Sequence, residues 1–241
     1  SVQMKRLLTG LLGILLMFSI GVGIVEAKKP VIGVVEFSNT SGAYWWRGGM
    51  GWELSGMVTS ELSSGQKFDV VERNKLESVL TEQNLGASGR VQKGTAAKIG
   101  KITGAQYLVM GTVTAYEESV KGTGGGIRLG PVSLGGKKES AYISIDLRVV
   151  DSTTGKVAFN RAIEANSSGG GLGGGLSWGQ FSGHLGGFEK KPAGKAVRAC
   201  IMEIVEYLEC AMVDKGNCMS EYHAKEQRRK AKTKKSITLD E

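Results

Sequence analysis

Residues 141–163 read AYISIDLRVVDSTTGKVAFNRAI, and no other stretch restricts the fold so firmly. Ala141, Ile143, Ile145, Leu147 and Val149 alternate with Tyr142, Ser144, Asp146 and Arg148, the two-residue period of a strand with one buried face. The DSTTG run at 151–155 supplies turn residues, and residues 156–163 read as a shorter returning strand. In an antiparallel hairpin the start of the first strand lies beside the end of the second. Both outer ends therefore leave the same pole, and each runs into an odd segment. Of the 34 residues in 122–136 and 169–187, 17 are Gly. Residues 165–188 hold no Asp, Glu, Lys or Arg, and 122–136 hold only Arg128. Two long, nearly uncharged insertions, side by side, pose the functional question.

The rest of the chain supplies a scaffold. Residues 31–37, VIGVVEF, predict a buried strand. Met50, Leu54, Met57, Val58 and Leu62 keep to one helical face over 50–62. A strand is expected at 68–71. A helix follows over 73–83, with Leu76, Val79 and Leu80 on one face and Gly86 as its stop. Thr95 as a cap and Gly104 just past the end predict a short helix over 95–102. QYLVMGTVTAY at 106–116 reads as a central strand, rich in β-branched and aromatic residues. Val197, Ile201, Ile204, Val205, Leu208 and Met212 stripe a long helix over 193–213. Strands and helices interleaved around a small sheet define an α/β layer architecture.

The ends carry separate signals. Met4, Lys5 and Arg6 precede an apolar run over 7–25, and Val25-Glu26-Ala27 is a small-residue cleavage pattern, so 1–27 is expected to be a signal peptide. No Cys follows that position before Cys200, and nothing in the residues calls for a lipid anchor. The formal charge is +8, and residues 223–235 contribute seven Lys or Arg against Glu226 alone. Such a tail is expected to be a solvated charged end rather than a nucleic-acid arm. Cys200 and Cys210, ten residues apart on one helix, would stand about 15 Å from each other, too far to bridge. Cys210 and Cys218 can pair if that helix ends near Val213, and Cys200 is expected to fill the core as a small hydrophobe.

Enzyme chemistry finds little footing. His184 and His223 are the only histidines, no metal-ligand spacing or G-x-S-x-G motif occurs, and the GTGGG run at 122–126 lacks the Lys-Ser/Thr ending of a phosphate loop. No catalytic residue, metal or cofactor is expected.

FDVVERNKLESVLTEQNL at 68–85, GAQYLVMGTVTAYEESVK at 104–121 and LRVVDSTTGKV at 147–157 together resemble the CsgG family, the curli production assembly and transport component of bacterial outer membranes. The resemblance runs over residues 31–213. It implies a small periplasmic α/β sandwich domain whose subunits each give two β-hairpins to an oligomeric transmembrane β-barrel. It also implies a ring homo-oligomer, a nonamer by resemblance, that passes unfolded fibre-type subunits from the periplasm to the cell surface. The bulk of the chain would lie in the periplasm and the arms in outer-membrane lipid. A periplasmic gating protein and a surface nucleator would be partners, with no nucleic acid and no cofactor. The resulting division is a periplasmic α/β domain begun at 28–116, a membrane hairpin at 117–140, a periplasmic hairpin at 141–163, a second membrane hairpin at 164–188, a C-terminal helix at 189–218 and the basic tail at 219–241.

Physical constraints make a similar demand. Segments at membrane depth must close into a barrel, and a membrane strand needs about 9–11 residues. Residues 117–140 and 165–188 have 24 each. Four strands are too few for a barrel, so insertion requires oligomerisation. Ile127, Leu129, Leu134, Leu172, Leu176, Trp178, Phe181 and Leu185 would be the apolar residues of these hairpins, although they fall on both parities, and Pro131 suits the first turn. The resemblance also places a constriction loop at Tyr44, Trp45 and Trp46, where Trp stands at the family's amide position and Arg47 and Trp52 are neighbours. Two alternatives stand beside this reading. The insertions are Gly-rich linkers and the aromatics pack on the scaffold, or the chain is a soluble periplasmic binding or regulatory module sharing the core.

Overall fold

The computed structural model describes residues 28–92, 94–122, 127–129, 132–134, 137–169 and 191–236, with those from 120 to 138 and at 168–169 described by backbone alone. The signal-peptide segment, Pro131, and Leu172, Leu176, Trp178, Phe181 and Leu185 lie outside the described residues.

In chain order the elements are β1 (Val31–Val34), β2 (Ser38–Asn39), α1 (Met50–Ser64), β3 (Asp69–Val71), α2 (Leu76–Ala87), β4 (Tyr107–Gly122), β5 (Ile127–Leu129), β6 (Val132–Leu134), β7 (Lys137–Asp151), β8 (Val157–Gly169), α3 (Pro192–Glu209) and α4 (Cys218–Ser236). The main sheet has the order β3-β1-β4-β7-β8, with β2 added to β4. β1 runs parallel to β3 and β4, whereas β4, β7 and β8 form an antiparallel meander. The turn between β7 and β8 is built by Asp151. Its carboxylate accepts hydrogen bonds from the backbone N–H of Thr153 (2.9 Å) and Thr154 (2.8 Å), and Gly155 takes a φ of 68° that a side chain would disfavour. These bonds hold the Asp151 carboxyl below its usual range.

The alternation in β7 has its expected result. Ile143, Ile145, Leu147 and Val149 are buried, facing α3, whose Ala193, Ala196, Cys200, Ile204 and Leu208 are fully covered. Met50, Leu54, Val58 and Leu62 of α1 complete the layer. Gly111 of β4 lies directly beneath the Phe37 ring, which occupies the place of a side chain there. Burial pushes the Cys200 thiol up to about 12, so it remains neutral.

Four local expectations change. Residues 95–102 form no helix: Gly94 and Gly100 adopt φ of 95° and 75°, and the left-handed backbone at Gly100 breaks the turn. α2 forms, but its apolar side does not meet the core. Val79, Leu80 and Leu85 are exposed, and the one buried residue of α2 is Gln83, whose Nε2 donates to the Lys98 carbonyl at 3.4 Å. β8 continues to Gly169, pairing with β7 as far as Glu139. The basic tail is not simply solvated, since most of it is α4, seated on the domain.

α3 passes through a π-helical turn at Cys210–Asp214, and Cys210 and Cys218 form a disulfide across the corner into α4, with Cα atoms 6.0 Å apart. Tyr222 is buried edge-on to Tyr207, ring centroids 5.2 Å apart. The Arg161 guanidinium lies 4.6 Å from the Tyr222 ring and donates to its carbonyl at 3.1 Å. Farther along, Arg229 donates twice to Glu226 at 2.8 Å and reaches Glu164 at 3.7 Å. The Arg229 hydrogen bonds draw the Glu226 carboxyl down to about 2.

Candidate functional site

The strand ends that adjoin the Gly-rich insertions meet at one pole. Gly122 at the end of β4 lies opposite Lys137 at the start of β7, and Glu139 lies opposite Gly169 at the end of β8. Within the first insertion β5 and β6 pair antiparallel, with Ile127 opposite Leu134 and Leu129 opposite Val132. β4 and β7 thus form one long two-stranded ladder, and β5 and β6, which lie between them in the chain, a separate two-stranded sheet.

A bulge divides the β4–β7 ladder. Val113 pairs with Ile145 and Ala115 with Ser144, leaving one extra residue in β4 at Thr114. Residues paired across a ladder share a face, so Val113 faces the core with Ile145. Simple alternation would send Tyr116 to the other face. The bulge instead pairs Tyr116 with Ile143, a buried core residue, and so brings its ring back to the core side.

The aromatic loop occupies the place that this creates. It is tied down from both ends. Asn39 Oδ1 accepts from the Ser41 N–H at 3.0 Å and from the Ser41 hydroxyl at 2.6 Å, the Thr40 N–H donates to the Val113 carbonyl at 2.9 Å, and the Trp46 N–H donates to the Ala43 carbonyl at 3.0 Å. Gly49, with φ of 83°, turns the chain into α1. Trp45 is buried, its ring 5.7 Å from that of Tyr116 and 5.8 Å from that of Trp46. Trp46 is half-buried against the core. Tyr44 is 66 % exposed and stacks edge-on over Tyr116 at 5.9 Å. The Tyr116 hydroxyl donates to Glu118 at 3.1 Å. Burial and then the Tyr44 hydroxyl raise the Tyr116 phenol, while Glu118 raises that of Tyr44. Both phenols stay neutral hydrogen-bond donors around one carboxylate.

Of the three loop aromatics singled out in the sequence, then, Tyr44 alone presents most of its surface. Ile127, Leu129 and Leu134 lie on β5 and β6 by backbone. Tyr116 and Glu118 belong to the site although the sequence reading passed over them, because the bulge that turns Tyr116 inward has no residue signature. Among the described residues no helix is long and apolar enough to cross a membrane, and no group of His, Cys, Asp and Glu could hold a metal ion.

The geometry defines a mixed α/β domain whose antiparallel strands β4, β7 and β8 run past the core to one pole, with an aromatic loop locked against β4. Residues 17–237 match the curli production assembly/transport component CsgG family, and the chain belongs to that family. It is 27 % identical over 105 residues to the curli production assembly/transport component CsgG of Salmonella typhimurium, and 27 % identical over 106 residues to that of Escherichia coli. These stretches cover 42 % of this chain and 38 % of the length of those relatives. Among solved structures, the hypothetical protein CT253 of Chlamydia trachomatis is similar at 18 % identity and a TM-score of 0.43, covering 78 % of this chain and 99 % of that one. The lipoprotein GNA1162 of Neisseria meningitidis is similar at 19 % identity and a TM-score of 0.36, covering 73 % and 99 %. Both likenesses are too distant to bear on function.

Proposed function

We propose that this chain is the subunit of an outer-membrane secretion channel, a ring homo-oligomer that passes unfolded, fibre-type subunits from the periplasm to the cell surface. One observation carries the reading: in a member of the CsgG family, three strand ends converge at one pole and lead into the two Gly-rich, almost uncharged arms. From Lys121 to Leu129 and from Val132 to Ser140 there are nine residues each, near the ~9–11 that a tilted membrane strand needs. Arms from neighbouring copies would close the barrel, since four strands alone cannot. The α/β domain would stay in the periplasm, and a gating protein there and a nucleator at the surface would be its partners.

At the base of the arms, the loop carrying Tyr44, Trp45 and Trp46 would form a collar, with Tyr44 reaching into the bore and Trp45 bracing the loop from behind. A ring of neutral phenols suits an extended polypeptide, offering hydrogen bonds without fixed charge. The channel carries out no catalysis, and transport would follow the substrate's own gradient.

The test is single-channel conductance of the detergent-extracted oligomer in planar bilayers, with negative-stain imaging of rings. Tyr44→Ala should raise conductance and leave the thermal midpoint nearly unchanged. Trp45→Ala should destabilise the fold by about 3 kcal/mol, the usual cost of removing a buried aromatic. Absence of rings and of conductance in the parent protein would defeat the channel reading in favour of a soluble periplasmic binding module. Unchanged conductance with Tyr44→Ala would remove Tyr44 from the bore.

A further inference from the structure

The polar helix α4 has a direction, and its charge is concentrated at one end. From Gln227 to Ser236, six of ten residues are Lys or Arg and none is acidic. Lys225, Arg228, Lys232 and Lys235 fall along one stripe, with spacings that keep to a single helical face. Lys230 and Lys234 lie on the other flank of the docked side. From Arg228 onward every Lys is exposed, as is Arg228 itself, and Lys232, Lys234 and Lys235 make no ion pair among the described residues. Cations in the last turn are favoured by the helix dipole, but that accounts for one or two of them rather than six.

Two contacts give the direction of the helix. Tyr222 lies against Arg161, and seven residues later Arg229 reaches Glu164, three residues farther along β8. Seven residues of helix rise about 10.5 Å and three of strand about 10 Å. α4 therefore runs alongside β8 in the same sense. Another seven residues bring Ser236 level with about Ser167, just short of Gly169, where β8 ends. The cationic end of α4 thus stands at the pole from which the Gly-rich arms leave.

We infer that the C-terminal end of α4 is a docking element for the anionic phosphate surface of a phospholipid bilayer, gripping headgroups at the base of the arms. This rests on the reading that the arms enter a membrane. The cations crowd the last two turns on several sides of the helix instead of lining a groove, which suits a plane met end-on better than a polypeptide laid in a channel. The docked residues Tyr222, Glu226 and Arg229 hold the helix in place beforehand, so little ordering is needed on contact. Each such cation near an anionic leaflet strengthens attachment by about fivefold, and the attraction is screened by salt.

The experiment floats the full chain, purified in detergent and then diluted from it, with vesicles of phosphatidylethanolamine and phosphatidylglycerol or with vesicles of phosphatidylcholine alone, at low and high salt. The parent protein should prefer the anionic vesicles in a salt-sensitive way. Replacing Lys230, Lys232, Lys234 and Lys235 together by Gln should weaken that binding on the order of 100-fold or more, whereas replacing all four by Arg should preserve it. Equal binding of the Gln variant, or indifference of the parent protein to phosphatidylglycerol, overturns the inference. So does tighter binding of soluble polyglutamate than of vesicles, which would make the partner an acidic polypeptide. Arm insertion is read separately in the same samples as resistance to alkaline carbonate extraction. Carbonate-resistant protein with no charge preference leaves the channel standing and removes the docking role. Salt-released, charge-dependent binding without carbonate resistance does the reverse.

Discussion

Two peripheral helices, α2 and α4, contradict what their compositions suggest. α2 offers Val79, Leu80 and Leu85, and all three stand exposed while Gln83 is covered. α4 carries seven Lys or Arg among its 19 residues and is nonetheless seated on the domain. The difference lies in what each helix finds opposite it. α4 brings Tyr222 to an edge already furnished with Arg161 and Tyr207, and Glu226 holds Arg229 at the height of Glu164. A few side chains with waiting partners seat a helix more firmly than an apolar stripe that faces no surface.

The contrast can be broken most strongly at Tyr222. Tyr222→Ala removes a buried ring and its contact with the Arg161 guanidinium, and should cost about 3 kcal/mol of docking. Amide exchange over Cys218–Ser236 would then speed by roughly 100-fold. A smaller effect is expected from Glu226. Its folded pKa of about 2 lies below the ordinary 4.5, so its stabilisation is complete above pH 4.5 and is lost as pH falls from there toward 2. Protection factors in α4 should decline across that window, and Glu226→Gln should lower them by the equivalent of about 1 kcal/mol at neutral pH and flatten the decline. The smallest change belongs to α2. Val79→Gln with Leu80→Gln should leave the thermal stability of the isolated chain within about 0.5 kcal/mol, and a larger loss would mean that α2 packs on the domain after all.

Much of the scaffold was legible because its signals were local. Ile143, Ile145, Leu147 and Val149 alternate without interruption, and the DSTTG turn carries its own hydrogen-bonding side chain in Asp151. The stripe of α3 could likewise be read from spacing, whereas the pairing of Cys210 with Cys218 hung on where the helix ends, which the π-turn through Asp214 decides. Thr95 and Gly104 imitated the punctuation of a helix, but Gly94 and Gly100 take left-handed backbone that only the folded chain reveals. The basic tail read as solvated because its charge hides a sparse face of Tyr222, Glu226 and Arg229, spaced four and three residues apart. In the aromatic loop the residue types were visible, while the assignment of Trp45 to the interior and Tyr44 to the surface depended on where Tyr116 comes to lie.

The extra residue at Thr114 also sets the phase of everything beyond it. A strand has only two sides, and an unbroken alternation through Thr114 would exchange them for the remainder of β4. Deleting Thr114 would instead remove the bulge and leave every pair beyond it, Tyr116 with Ile143 included, on the side it now occupies. That insertion is in effect a keyway: it lets the inner domain and the arm be cut to different patterns and still fit on one continuous strand.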